Sequence, residues 1–238
     1  SLRDANGKTL RTYHDSLYTP NRIVVAIAGN IVKNKSQIQA QSQEWFSIGS
    51  LRPRLKEPIA LGYTKVEDQQ KKPAASIVTK KDAQQANITL GVRTFCRGSE
   101  DRFAWNVFNF LFGVSFTSRL FKEIREKRGL CYAVRSGSDN WDDVGNWSIY
   151  AGVATEKVGV AVSAIIDELK KAVDGGVTDE EVNVAKKRIL TMVSFKTEDP
   201  EFMAEFYGQQ ELRHLPILTI DDYFEKIKAV TKEDIAKL

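Results

Sequence analysis

The clearest pattern in the chain is the helical one from Lys157 to Val173. Val158, Val162, Ile165, Ile166, Leu169 and Val173 fall on one stripe, which predicts an amphipathic helix with that stripe buried. Gly175-Gly176 stops it, and Thr178 with Glu181 three residues on reads as a capping box for a helix to about Phe195. Period-two alternation marks two strands. Over Ala86 to Phe95, Ile88, Leu90 and Val92 alternate with Thr89, Gly91 and Arg93; over Trp147 to Val153, Trp147, Ile149, Ala151 and Val153 share one face. Leu130 to Ser138 is a third strand, and the polar stretch Asp139 to Asn146 joins it to the second as a hairpin. Arg22 to Ala28 is a nearly continuous β-branched run behind the turn signal Tyr18-Thr19-Pro20-Asn21, which predicts a strand buried on both faces. Ser76 to Thr79 reads as a short strand and Ser36 to Ile48 as a helix. Asp101 to Phe112 predicts a helix loaded with Phe103, Trp105, Phe108, Phe110 and Phe112, and rings at that density read as core rather than as a ligand box. Asp199-Pro200 opens a helix toward His214, and Thr219 and Thr231 launch two short closing helices.

From Ser76 the order is strand, strand, helix, helix, strand, strand, then helices. That predicts an α+β fold: a two-layer sandwich, a mostly antiparallel sheet with helices packed on one face. The chain shows neither βαβ alternation nor a GxGxxG or P-loop motif, which argues against a Rossmann or barrel fold. Residues 51–75 read as a linker, with Pro53, Pro58, Pro73 and the polar run Glu67 to Lys72.

Composition narrows the function classes. With 35 Lys and Arg against 31 Asp and Glu, the net charge of +4 is too small to argue for nucleic acid, and no basic stripe is interleaved with aromatics. No apolar run approaches the roughly 18 residues of a membrane span. Cys96 and Cys131 form no CxxC pair and read as free buried thiols, which favours a soluble cytoplasmic protein while leaving the compartment open. His14 and His214 are the two histidines; no second His lies three to five residues from either, so no metal-ligand spacing occurs and the chain is expected to bind no metal or other cofactor.

The candidate chemistry sits in Ser118 to Val134, SRLFKEIREKRGLCYAV. Thr117 or Ser118 can cap a helix whose buried stripe is Leu120, Phe121 and Ile124; Gly129 ends it, and a strand begins at Leu130. Arg125 and Tyr132 therefore flank a glycine turn. On spacing alone, Arg125 belongs to a solvated charge ladder (Lys122 with Glu126, Glu123 with Lys127), and Tyr132 packs on the sheet.

That stretch is similar to a signature in the second half-domain of the pitrilysin/insulinase family of zinc metallopeptidases. The surroundings agree in order: Tyr18 to Gly29 before the linker, then a hairpin, a long helix, GGVTDEEV and a closing AVTKEDI. The resemblance implies two halves of one fold, of LuxS/metallohydrolase-like architecture, closing around an extended peptide, with zinc held in the first half by an inverted HxxEH helix. This sequence has no HxxEH. By the resemblance, residues 1–50 supply the last strand and helix of the zinc-bearing half, 51–75 the linker, and 76–238 the substrate-binding second half without its own last strand. Arg125 and Tyr132 are the residues it carries over, as contacts to substrate and to the reacting carbonyl. Arg119 and Arg128 read as surface or structural. The implied partners are the zinc-bearing half or a separate partner subunit, an extended peptide, and a second copy of the chain through exchange of the Arg22–Ala28 strand. The alternative function is a non-catalytic partner or scaffold subunit of the same family.

Overall fold

The computed structural model describes residues 5–19, 22–46 and 70–238. Its contacts divide the chain into two compact units, one of Ser1–Tyr63 with Val193–Thr219 and one of Thr64–Met192 with Ile220–Leu238. The segment read as a linker lies, up to residue 69, outside the described residues.

The larger unit is built on a three-stranded antiparallel sheet in the order β1–β3–β2: β1 Gln85–Thr94, β2 Cys131–Asn140 and β3 Gly145–Ala154. The alternating face lands where the period predicts. Trp147, Ile149, Ala151 and Val153 are fully or almost fully buried, and Ile88, Leu90 and Val92 pair across to Ala151, Ile149 and Trp147. Helix α3, Arg102–Asn109, continues into a wider π turn at Phe110–Val114 and lays its rings on that face. Trp105, Phe108, Phe112 and Trp147 stack with centroids 5.3–5.8 Å apart, so the aromatic run is core. One polar group is set inside it. Asn109 Oδ1 accepts from Ser136 Oγ at 2.6 Å and from Trp147 Nε1 at 2.7 Å, which satisfies two buried donors at once. Gly113 lets the π turn press on β2: a Cβ there would stand 2.7 Å from the Ser136 backbone nitrogen.

Helix α4, Val158–Lys171, differs from its predicted stripe. The buried positions are Ala161, Ala164, Ile165 and Glu168, while Ile166 and Val173 are exposed. The helix turns Ala161 and Ala164 inward beside Ile165, where small residues allow close approach, leaves Val158, Val162 and Leu169 half-buried and turns Ile166 outward. The Thr178 capping box is present, with Thr178 Oγ1 accepting from Glu181 N at 3.2 Å and the Glu181 carboxylate accepting from Thr178 N at 2.9 Å. It opens α5, Asp179–Lys196. Helix α7, Ile220–Ala229, and α8, Lys232–Ala236 with its own Thr231–Asp234 capping box, close the unit.

The smaller unit holds α1, Gly7–Leu17, α2, Lys35–Phe46, and α6, Pro200–Leu212, which Asp199 caps. Here one expectation fails. Arg22–Ala28 is no buried strand: among the described residues it joins no ladder, and Val24, Val25 and Ile27 are 37%, 43% and 46% exposed. Its extended backbone lies against α6 instead. Gly208 admits Ala26, and the two segments border a groove of about 440 Å³ with Met203 and Tyr207. Apolar continuity specified an extended chain, but a strand needs a hydrogen-bonding neighbour that these residues do not supply. Ser76–Thr79 fails likewise, with Ile77 and Val78 each 90% exposed and no ladder.

Candidate functional site

The helix before the glycine turn is wound more loosely than the sequence suggests. Phe121–Lys127 is a π-helix, entered from the buried Ser118, whose Oγ accepts from the Phe121 backbone N–H at 3.4 Å. Leu120 and Ile124 are fully buried and anchor it. The wide winding continues into its end: Leu130 N–H bonds back to Ile124 O at 3.0 Å and Gly129 N–H to Arg125 O at 3.2 Å. Gly129 takes φ +57°, the left-handed cap that favours glycine. π segments recur at functional sites because one extra residue per turn re-aims the side chains that follow.

A second irregularity lies just beyond. β2 and β3 pair Cys131 with Val153 and then Ala133 with Gly152, so Tyr132 is the extra residue of a β-bulge. Its side chain is 74% exposed. Across the turn the Arg125 guanidinium stands over the Phe121 ring at 4.9 Å. Burial pushes the neighbouring Cys131 thiol up, and the Arg125 charge opposes that shift. Among the described residues, neither the Tyr132 hydroxyl nor the Arg125 guanidinium makes a hydrogen bond, and no bond joins them. The site is two donor groups held by a bulge and a helix end, both open to solvent.

The charge ladder expected around Arg125 is half present. Lys127 bonds Glu123, holding that carboxyl below its ordinary range, whereas Lys122 and Glu126 form no pair. Sequence reading missed Lys157, which follows β3 and extends Nζ to the carbonyl of Gly129 at 3.4 Å. No motif marks it; only the sheet register carries it to this turn.

Other charged groups have structural roles. Arg119 donates twice to the Glu181 carboxylate, at 2.7 Å each, and to Gly176 O. With the buried Glu168 and its exposed partner Lys171 it borders a cavity of about 890 Å³ beside α4 and α5, which neither Arg125 nor Tyr132 lines. Three of that cavity's cations, Arg119, Lys127 and Lys171, are paired with its carboxylates. His14 stacks on Tyr18 at 4.7 Å and meets Asp15 at 3.1 Å; His214 lies exposed in a left-handed turn at φ +53°. Cys96 and Cys131 are free thiols. Among the described residues no three His, Cys, Asp or Glu side chains are placed to hold a metal ion, so they do not fit a zinc site. No described helix is long and apolar enough to cross a membrane.

Comparison with known proteins agrees on the relationship. Residues 4–189 match a family model described as the peptidase M16 inactive domain. The chain is 33% identical over 228 residues to an uncharacterized zinc protease of Mycobacterium tuberculosis, covering 95% of this chain and 50% of that protein. It is 29% identical over 235 residues to a zinc protease of Bacillus subtilis, covering 99% and 54%. Among solved structures, a protease from Helicobacter pylori superposes with a TM-score of 0.88 at 18% identity, over 99% of this chain and 56% of that one. The peptidase M16 inactive domain from Pseudomonas fluorescens gives 0.81 at 23%, over 98% and 54%. The chain spans about half the length of the curated relatives it matches.

Proposed function

The chain belongs to the family of M16 peptidase inactive domains, and from that premise we propose that it is the substrate-binding C-terminal region of a zinc-dependent metalloendopeptidase, supplying Arg125 and Tyr132 to the active site of the zinc-bearing half. The observation that carries this reading is the state of those two side chains: fixed at their bases by a π-helix end and a bulge, and without hydrogen-bond partners of their own among the described residues. A structural Arg or Tyr is normally committed, as Arg119 is. Uncommitted donors on a rigid rim suit an incoming carbonyl.

Zinc supplies Lewis-acid chemistry in the parent and is held by the other half; the roles below concern this chain's own groups. The Tyr132 O–H and Arg125 N–H groups donate to the scissile carbonyl oxygen as it gains charge in the tetrahedral state. Held in place beforehand, they need no reorganisation at that moment. The substrate enters in extended form, adding its backbone to a sheet edge. In this reading residues 1–50 belong structurally to the zinc-bearing half and 76–238 to the substrate-binding half.

The test is made on the complete zinc-bearing polypeptide. Arg125→Ala and Tyr132→Phe should each lower kcat/KM for a quenched-fluorescence peptide by about 100-fold, the usual cost of one oxyanion donor, with zinc content and Tm unchanged. Unchanged turnover, or loss of folding in both variants, overturns the assignment. A second reading, a non-catalytic partner or scaffold subunit, is favoured by one observation: a relative in Bacillus subtilis, 28% identical over 162 residues, is named a probable inactive metalloprotease. Activity that appears only when a separate zinc-bearing protein is added selects that reading.

A further inference from the structure

The carbonyl of Gly129 lies in the turn between Arg125 and Tyr132, and among the described residues the side chain that reaches it is Lys157. Lys157 comes from the 3-10 turn Thr155–Lys157, directly after β3. Because Val153 pairs with Cys131, that turn and the start of β2 share one end of the sheet. Three cations therefore lie on the segments that flank the bulge: Arg125 in the last turn of the helix, Arg128 at its cap, and Lys157. All three are exposed, and none makes an ion pair among the described residues. Glu126 and Glu156 lie on the same two segments, yet no pair joins either to these cations; Glu156 is met only by the Thr155 hydroxyl, at 3.4 Å. Elsewhere in this unit several cations are matched, as Arg119 is by Glu181, Lys127 by Glu123 and Lys232 by Asp179, and the Glu123 carboxylate also feels the Arg128 charge.

We propose that Lys157 is a further residue of this rim, and that with Arg125 and Arg128 it selects peptide substrates carrying an acidic side chain beside the Tyr132 hydroxyl. This rests on the peptide-binding reading above and adds a substrate class to it. The bond to Gly129 O holds Nζ next to the turn, leaving the ammonium two further hydrogens for a ligand carboxylate. Arg125 is kept over Phe121 and Arg128 is fixed at its base by the cap, so both arginines stand on the segment that leads into the turn where Lys157 is bonded. The competing explanation is that Lys157 merely caps the C-terminal end of the π-helix, where a cation is favourable in its own right. The two differ in what they move: a cap changes stability, whereas a selecting charge changes the preference between substrates.

The experiment uses the complete polypeptide and a short neutral peptide in which a single Glu, or a matched Gln, is walked along the sequence. Binding of non-cleavable versions is read by fluorescence anisotropy, and kcat/KM is read on the cleavable ones. The wild type should favour Glu over Gln by about fivefold at one position, and the preference should fall toward unity as salt rises. Lys157→Gln keeps a donor for Gly129 O but removes the charge, and should cut the preference to about twofold or less through KM. Lys157→Arg should restore it. Lys170→Gln, an exposed cation on α4, serves as control and should leave it intact. A wild type indifferent to Glu at every position, or a Lys157→Gln variant that keeps the full preference, overturns the proposal. So does a Lys157→Gln variant whose only change is a lower Tm. Failure of the oxyanion reading is distinguishable: Tyr132→Phe would then leave turnover unchanged, while the binding ratio still decides on Lys157.

Discussion

Asn109 shows how much one side chain can decide here. Its amide oxygen serves two donors that nothing else inside the aromatic cluster satisfies as well, Ser136 and Trp147. Asn109→Ala should therefore cost roughly 2–4 kcal/mol, as two buried donors lose their acceptor, and should shift the urea midpoint with little change in slope. Glu181 makes a second case at this scale. Burial raises its carboxyl, but the Arg119 bonds and those from Thr178 overcome that and leave it lowered. A carboxyl lowered in the folded state contributes stability above its unfolded value and loses that contribution as pH falls through its folded value. Thermal scans through the acid range should show a shallower decline for Glu181→Gln than for the wild type; identical slopes would remove Glu181 from the account. At this scale the sequence was legible where a motif carried the residue. Thr178–Glu181, Thr231–Asp234 and Gly129 stand as caps, and Arg125 and Tyr132 flank the turn that Gly129 makes. Lys157 was not legible, because its reach depends on strand register, which no local pattern encodes.

Among elements, periodicity told most where burial is one-sided. β3 shows the predicted face, with Trp147, Ile149, Ala151 and Val153 buried, whereas on β1, at the end of the sheet, Ile88 and Leu90 are half-buried and Val92 is exposed. α4 was misjudged because the stripe was read by size of apolar group, whereas the helix buries Ala161 and Ala164 and leaves Ile166 outside. Small residues carry a weak hydrophobic signal but permit the closest approach. The π windings at Phe110–Val114 and Phe121–Lys127 had no sequence signature of their own; Gly113, packed on Ser136, is the residue that fixes the first. Gly113→Ala should destabilise by about 1–3 kcal/mol through overpacking, read by chemical denaturation. At Arg22–Ala28 apolar continuity predicts a strand, while pairing depends on which neighbour is present.

For the molecule as a whole, that unpaired run is the feature with consequences for assembly. An extended, half-exposed apolar segment is a template for another strand. If copies exchange it, sedimentation should show a dimer at micromolar concentration, and Val25→Lys should return it to monomer without altering the unfolding curve. A wild type that sediments as a monomer throughout rules exchange out. The α+β architecture was recoverable from the order of elements alone. The grouping of Val193–Thr219 with the N-terminal unit was not, since it joins residues far apart in the chain.

The bulge at Tyr132 has a further implication. Cys131 and Ala133 occupy successive rungs against Val153 and Gly152, so the ladder already reads as though Tyr132 were an insertion. Excising that one residue would leave inward Cys131, outward Ala133 and inward Val134 in ordinary alternation. If Tyr132 serves as the proposed donor, turnover and architecture are separable by a single codon: a lineage could silence this rim, or regain it, without renegotiating the core beneath.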